Sequence, residues 1–177
     1  MNILAIDQGS RSGFDWLNHA SVLMSSHTSG VTEDQAGIDA AVRIFGTDAR
    51  FIVVFEDHSG MRFSRGNVSS AGLLGLGAAR GRWEAALDRI GHPQRARIKV
   101  KPQTWRRAVL GLGNVKSEVA KHTAVMRAAA ELGRPITAID DNEAEAVCIA
   151  LWAERAPEAR ELWQRVYEPR RARKGAA

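Results

Sequence analysis

The chain has 177 residues, 45% hydrophobic and 25% charged, which predicts one globular domain with a real core. Its formal net charge is +5, and 20 of its 25 basic residues are arginine, whose planar guanidinium suits phosphate, so a polyanionic partner is expected. The single cysteine, Cys148, excludes an intramolecular disulfide and a Cys-based zinc cluster, and no apolar run approaches the roughly 18 residues of a membrane span.

The first residues, "MNILAIDQG", have no basic leader and reach an acid at Asp7, so the expectation is an unexported, cytoplasmic protein without membrane association. "NILAID" reads as a buried strand ending in the Gly-rich turn "QGSRSG". "GFDWLNHASVLMSS" alternates enough for two further strands joined near residues 18–20, an antiparallel hairpin or meander. From Thr32 the pattern turns helical. Thr32 and Gln35 form a capping box, Ile38, Val42, Ile44 and Phe45 supply the apolar stripe, and Gly46 ends it. "RFIVVFED" is apolar on both faces, as a central parallel strand covered by helices would be.

Residues 58–68, "HSGMRFSRGNV", fit neither period and read as a loop, followed by a helix over about 69–90. That helix carries small residues at Gly72, Gly75, Gly77 and Ala78; the glycines weaken it, and several of them point to close backbone packing, within the chain or against a second subunit. "RIKVKPQTW" is a strand with a basic exposed side. A short helix at about 105–110, the turn "GLGN" and a helix over about 117–132 complete the order β-β-β-α-β-α-β-α-α, with the acidic helix after it. This order predicts an α/β fold: a mixed five-stranded sheet with helices on both faces, in a single domain over 1–165, with the Arg-rich residues 166–177 as a frayed tail. No internal repeat is evident.

The stretch "ITAIDDNEAEAVCIALWAE" places Asp140, Asp141, Glu143 and Glu145 ahead of an apolar run. A helix N-terminus favours such anions by about 0.3–1 kcal/mol each, so Asp140 or Asp141 as a cap needs no other role. Glu145 shares a helical stripe with Asp141, Cys148, Ile149 and Trp152, whereas Glu143 shares one with Ala146, Ala150 and Glu154. Glu145 therefore points where apolar neighbours point, and a carboxylate there must be protonated, paired or metal-bound. Oxygen-only ligands suit Mg²⁺ or Mn²⁺. Asp7 and Glu56 end two buried strands, and ligand sites in open α/β sheets gather at such ends. Each alone reads as a strand-end residue meeting solvent. Together with the start of the acidic helix they form a cluster whose repulsion divalent cations would relieve, and two cations about 4 Å apart can hydrolyse a phosphodiester.

The motifs "NILAIDQGSRSGF", "VVFEDHSG", "SSAGLLGLGAARG", "VKPQTWRRAVLGLGNVKSEV" and "DDNEAEAVCIALW", in this order and spacing from Met1 to about Ala153, resemble the RuvC-type Holliday junction resolvases, in particular divergent phage and prophage members with an RNase H-like fold. The resemblance implies a crossover junction endonuclease that binds branched DNA as a homodimer and makes paired symmetric nicks, leaving 5′-phosphate and 3′-hydroxyl ends. It implies two Mg²⁺ per site, replaceable by Mn²⁺, and no small-molecule cofactor.

Asp7 matches the family's first metal ligand and Glu56 its second. The acidic helix supplies the rest, Glu145 standing where the family carries an Asp, and Asp140, Asp141 or Asn142 standing at the preceding position. Lys116 and Arg106 match basic positions near the scissile phosphate, with Lys116 in a catalytic role. Arg62, Phe63 and Arg65 in the loop, with Lys99, Lys101 and Arg107, complete the expected DNA contacts. Phe63 reads equally as a wedge at the junction centre or as loop packing, and Lys116 also as a solvated helix start. An RNase H-like RNA-processing nuclease would share the acids, and a decayed DNA-structure binder would keep only the surface. An actin-like ATPase reading of "AIDQGSRSGF" needs two large domains, for which the chain is too short.

Overall fold

The computed structural model describes residues 1–8, 12–18, 21–28, 38–39, 50–58, 70–113 and 115–168. Among the described residues there are five strands: β1 (Asn2–Asp7), β2 (Ser12–Asn18), β3 (Ser21–Thr28), β4 (Ile52–Glu56) and β5 (Arg97–Val100). They form one mixed sheet in the order β3-β2-β1-β4-β5. β2 runs antiparallel to both β1 and β3, while β1, β4 and β5 are mutually parallel neighbours. The strand β4, apolar up to its terminal Glu56, is thus interior, flanked on both sides, as its composition requires.

Alternation along the strands divides the core into two layers. Ile3, Ala5, Ile52 and Val54 face one side, and Leu4, Ile6, Val53 and Phe55 the other. The second side is covered by α1 (Ser70–Arg89), which buries Ala79, Trp83, Ala86 and Leu87 at helical spacing and sets Trp83 5.8 Å from Phe14. Ile38, helical and fully buried, joins this layer; the rest of the helix expected over 32–46 lies outside the described residues. The beginning of α1 is different. Gly72, Gly75, Gly77 and Ala78 are exposed, Leu74 is 74% exposed, and a Cβ added at Gly75 or Gly77 would meet nothing within 4 Å. The close packing expected of these small residues is therefore not made by the described part of the chain.

The first side carries α2 (Pro102–Leu110), α3 (Ser117–Leu132), α4 (Asp141–Arg155) and α5 (Pro157–Tyr167). Pro102 occupies the first turn of α2, where its missing N–H costs nothing, so this helix starts earlier than the expected 105; it stops at Gly111 in the left-handed region at φ 67°. α4 is the acidic helix. It lies between the sheet, against β1 and β2, and α3, and is buried without interruption from Glu143 to Ala153. A further helix, α5, corrects the domain boundary: Val166 is buried and the Tyr167 hydroxyl donates to the Phe51 carbonyl at 2.7 Å, so neither belongs to a frayed tail. Among the described residues, no helix is long and apolar enough to cross a membrane.

Candidate metal centre

The register makes the site. Ile6 pairs with Phe55, so Asp7 and Glu56, one residue further on, end adjacent parallel strands side by side. Both follow the Ile3/Ala5 and Ile52/Val54 alternation onto the face covered by α4. They are 5% and 3% exposed. α4 begins above this edge because β2 lets it: a Cβ on Gly13, the partner of Asp7 in the β1–β2 ladder, would stand 1.8 Å from the Asn142 carbonyl oxygen. Only glycine admits a backbone so close.

At the start of α4 the acids divide into distinct roles. Asp140 is the N-cap, its carboxylate accepting the Asn142 backbone N–H at 2.9 Å. Asp141 is half-buried and accepts from Lys121 Nζ at 2.5 Å. Glu145 is 5% exposed and accepts from Arg106 Nη2 at 2.8 Å. Glu143 corrects the stripe reading: it is 3% exposed, as buried as Glu145, and accepts from Arg134 Nη1 at 2.7 Å. The two acids meet different arginines, and α4 is buried from Glu143 to Ala153, so both lie inside.

Glu56 is held by three other residues. The fully buried Trp105 indole donates to Oε1 at 2.8 Å, Gln8 Nε2 donates to the Glu56 backbone carbonyl at 2.6 Å, and His58 Nε2 lies 3.3 Å from Oε2. One ligand-type atom each from Asp7, Glu56 and His58 lie within 4.8 Å of one another.

Electrostatics express the crowding. Burial holds Asp7 well above the usual carboxylate range, and Glu56 and Glu145 push it further, against a partial offset from Lys121. Burial raises Glu56 against the opposing Trp105 hydrogen bond and Arg106 charge. Burial and Glu56 raise Glu145, again against Arg106. Burial also lowers His58, leaving its imidazole neutral near pH 7. A cluster whose ionised forms are all disfavoured by burial, those of Asp7 and Glu145 also by neighbouring carboxylates, is relieved by a divalent cation, and its carboxylate donors suit one; these residues fit a bound metal.

The other expected site residues are dispersed. Lys116 is the exposed N-cap residue of α3 and makes no side-chain cap bond. Lys99 is exposed on the α1 face of the sheet, in a cleft with Phe55, Arg80 and Arg97, away from the carboxylates. Lys101 is exposed at the start of α2, and Arg107 is exposed on α2 beside Gln103 and Thr104. Arg106 does approach the cluster, as a partner of Glu145. Arg62, Phe63 and Arg65 lie outside the described residues. Sequence reasoning missed Gln8, His58, Trp105 and Lys121; of these only His58, two residues after Glu56 and so on the same side of an extended chain, carried a signal.

By sequence, the chain matches no family model and no curated protein. By structure it is similar to Thermus thermophilus RuvC in complex with Holliday junction substrate, with a TM-score of 0.62 at 18% identity over 87% of this chain and 93% of that one. A second Thermus thermophilus RuvC structure gives a TM-score of 0.57 at 17% identity, over 88% and 96%. The architecture implied by the motifs is thus the one found: the chain has the RNase H-like α/β fold of RuvC, with a buried Asp/Glu/His cluster able to hold a divalent metal.

Proposed function

We propose that this protein is a Mg²⁺-dependent endonuclease that resolves Holliday junctions or related branched DNA, acting as a homodimer that places paired nicks. The observation that carries the proposal is the convergence of Asp7, Glu56 and Glu145, all at most 5% exposed, at one edge of a RuvC-like sheet. Buried carboxylates cost stability, and a fold that retains three of them together is using them.

Asp7, Glu56, Glu145 and Asp141 would hold the metal, two ions per site in this reading. Bound there, divalent cations supply a water nucleophile and neutralise charge on the phosphodiester. The chain's own residues do the positioning. Trp105 fixes the rotation of the Glu56 carboxylate by occupying Oε1, and Gln8 ties the end of β1 to the end of β4. Arg106 and Lys121 neutralise Glu145 and Asp141, and in this reading they would also meet the DNA backbone at the site. The surplus of arginine supplies the remaining phosphate contacts. The exposed surface of α1 around Gly75 and Gly77 is one on which a second subunit would complete packing that the described residues do not make, and two equivalent strands cut in register need two sites related by a two-fold axis.

The test is cleavage of matched four-way junction, Y-structure, linear duplex and RNA substrates with and without Mg²⁺, together with sedimentation of the protein on junction DNA. Nicking of the four-way junction, abolished by Asp7→Asn with junction binding retained, is the expected result. Preferential RNA cleavage, or junction binding without cleavage at any divalent metal, overturns it.

A further inference from the structure

We propose that His58 is a nitrogen ligand to the metal held by Asp7 and Glu56, and that this donor moves the site's preference from Mg²⁺ toward first-row transition ions such as Mn²⁺. The inference rests on the reading of the carboxylate cluster as a metal site and goes beyond the all-oxygen ligand set that Asp7, Glu56, Asp141 and Glu145 provide.

Three observations place the imidazole on the ion. First, two ligands about 2.1 Å from one ion lie about 3 Å apart when adjacent and about 4.2 Å apart when opposite. His58 Nε2 is 3.3 Å from Glu56 Oε2, and the Asp7, Glu56 and His58 donor atoms all fall within 4.8 Å, so a small contraction brings all three onto one ion. Second, the contact between His58 and Glu56 is not a hydrogen bond: both ring nitrogens are buried, and neither has a hydrogen-bond partner among the described residues. A histidine serving only to neutralise Glu56 would donate to it. Third, the Trp105 indole occupies Glu56 Oε1 and leaves Oε2 as the oxygen that faces the histidine.

The consequence is chemical. Mg²⁺ takes oxygen donors and keeps its waters, whereas imidazole binds transition ions well. A site with one imidazole beside its carboxylates therefore discriminates between ions that an all-carboxylate site would treat more evenly.

The experiment uses the full chain and Mn²⁺. Binding is titrated by the loss of the free Mn²⁺ electron paramagnetic resonance signal, with Mg²⁺ as competitor, and the bound ion is examined by electron spin echo envelope modulation. The expected result is modulation from a coordinated imidazole ¹⁴N in the wild type, replaced by the ¹⁵N pattern when histidine is isotopically labelled. In His58→Ala the modulation disappears and Mn²⁺ binding weakens at least about tenfold, while Mg²⁺ binding changes less than about threefold; ligand-shell losses of this size are usual. His58→Asp restores an oxygen donor and narrows the preference between the two ions. Mn²⁺ bound in the wild type without nitrogen modulation overturns the His58 assignment and leaves the carboxylate site standing. No Mn²⁺ or Mg²⁺ binding that Asp7→Asn removes overturns both. The labelled wild type decides the matter even if His58→Ala fails to fold.

Discussion

Trp105 on α2 donates its indole N–H to Glu56 Oε1 at 2.8 Å across 49 residues of sequence, and the donor is fully buried. This bond fixes which oxygen of Glu56 faces His58. Trp105→Phe keeps most of the aromatic surface and removes the donor, so a buried carboxylate oxygen loses its partner at a cost of about 1–3 kcal/mol. The expected outcome is a modest fall in Tm together with weaker divalent-metal binding. A variant that melts lower yet binds metal as the wild type does would make Trp105 a packing residue only.

Gly13 lets β2 pass under the first turn of α4, and a Cβ there would fall 1.8 Å from the Asn142 carbonyl oxygen and 2.7 Å from the Glu143 nitrogen. Backbone cannot yield as a flexible side chain can. Gly13→Ala should therefore push α4 away from the sheet, costing about 1–3 kcal/mol or more, and should displace Glu145 from Asp7. Chemical denaturation measures the first effect and metal titration the second. Wild-type values in both would show that the helix start is more mobile than its packing indicates.

Two buried groups outside the carboxylate cluster set opposite pH limbs of stability. Asp15 is fully buried, neither of its oxygens has a hydrogen-bond partner among the described residues, and burial holds it well above the usual carboxylate range, with Glu143 and Glu131 adding to the effect. A raised folded pKa means that the native state keeps a proton the unfolded state releases. Its contribution is present below the unfolded carboxylate range and is lost as pH rises toward the folded value. His92 is stacked on Phe51 at 4.3 Å and bonded through Nε2 to the Phe51 carbonyl at 2.9 Å; burial lowers it to about 4. Its contribution is present above the unfolded value of 6.5 and is lost as pH falls through about 4. Asp15→Asn should flatten the limb on the rising-pH side, in EDTA and in Mg²⁺ alike, and His92→Gln should flatten the acid limb. Denaturant midpoints across pH 3–9 check both; unchanged slopes would mean that these groups titrate as in the unfolded chain.

The strands and their terminal acids were legible because they are local: an apolar run on both faces marks β4, alternation marks β2 and β3, and Asp7 and Glu56 stand where those runs end. The limits of α3 were legible for the same reason, since a helical run bounded by Lys116 and the left-handed Gly133 carries its own stop signal. What each acid meets was not legible. Arg106 reaches Glu145 from 39 residues away, Lys121 reaches Asp141 from 20, and Arg134 reaches Glu143 from nine. Those pairings are made by tertiary packing, to which no period in the sequence refers. α5 carried only a faint pattern: among its Arg and Glu residues only Ala159, Leu162 and Val166, at helical spacing, are buried.

Glu143 and Glu145 provide the comparison that separates structure from chemistry at the start of α4. Both are at most 5% exposed and both hold an arginine, so neither burial nor pairing distinguishes them. Their surroundings do. Glu145 stands close enough to Asp7 and Glu56 to raise the former and be raised by the latter, whereas Glu143 instead raises the isolated Asp15. Glu145→Gln relieves repulsion among three acids while leaving an acceptor oxygen for Arg106. It should melt no lower than the wild type without metal, yet bind metal and cleave junctions more weakly by at least an order of magnitude. Glu143→Gln weakens the tie from the Arg134 loop to α4 and should cost about 1–3 kcal/mol, less than a fully buried pair because the Arg134 side chain is 39% exposed. Its cleavage per folded molecule should stay near the wild-type rate. The paired measurement is Tm in EDTA against single-turnover cleavage in Mg²⁺. If Glu143→Gln loses cleavage at unchanged Tm while Glu145→Gln keeps it, the metal-facing side of α4 is the one that carries Glu143.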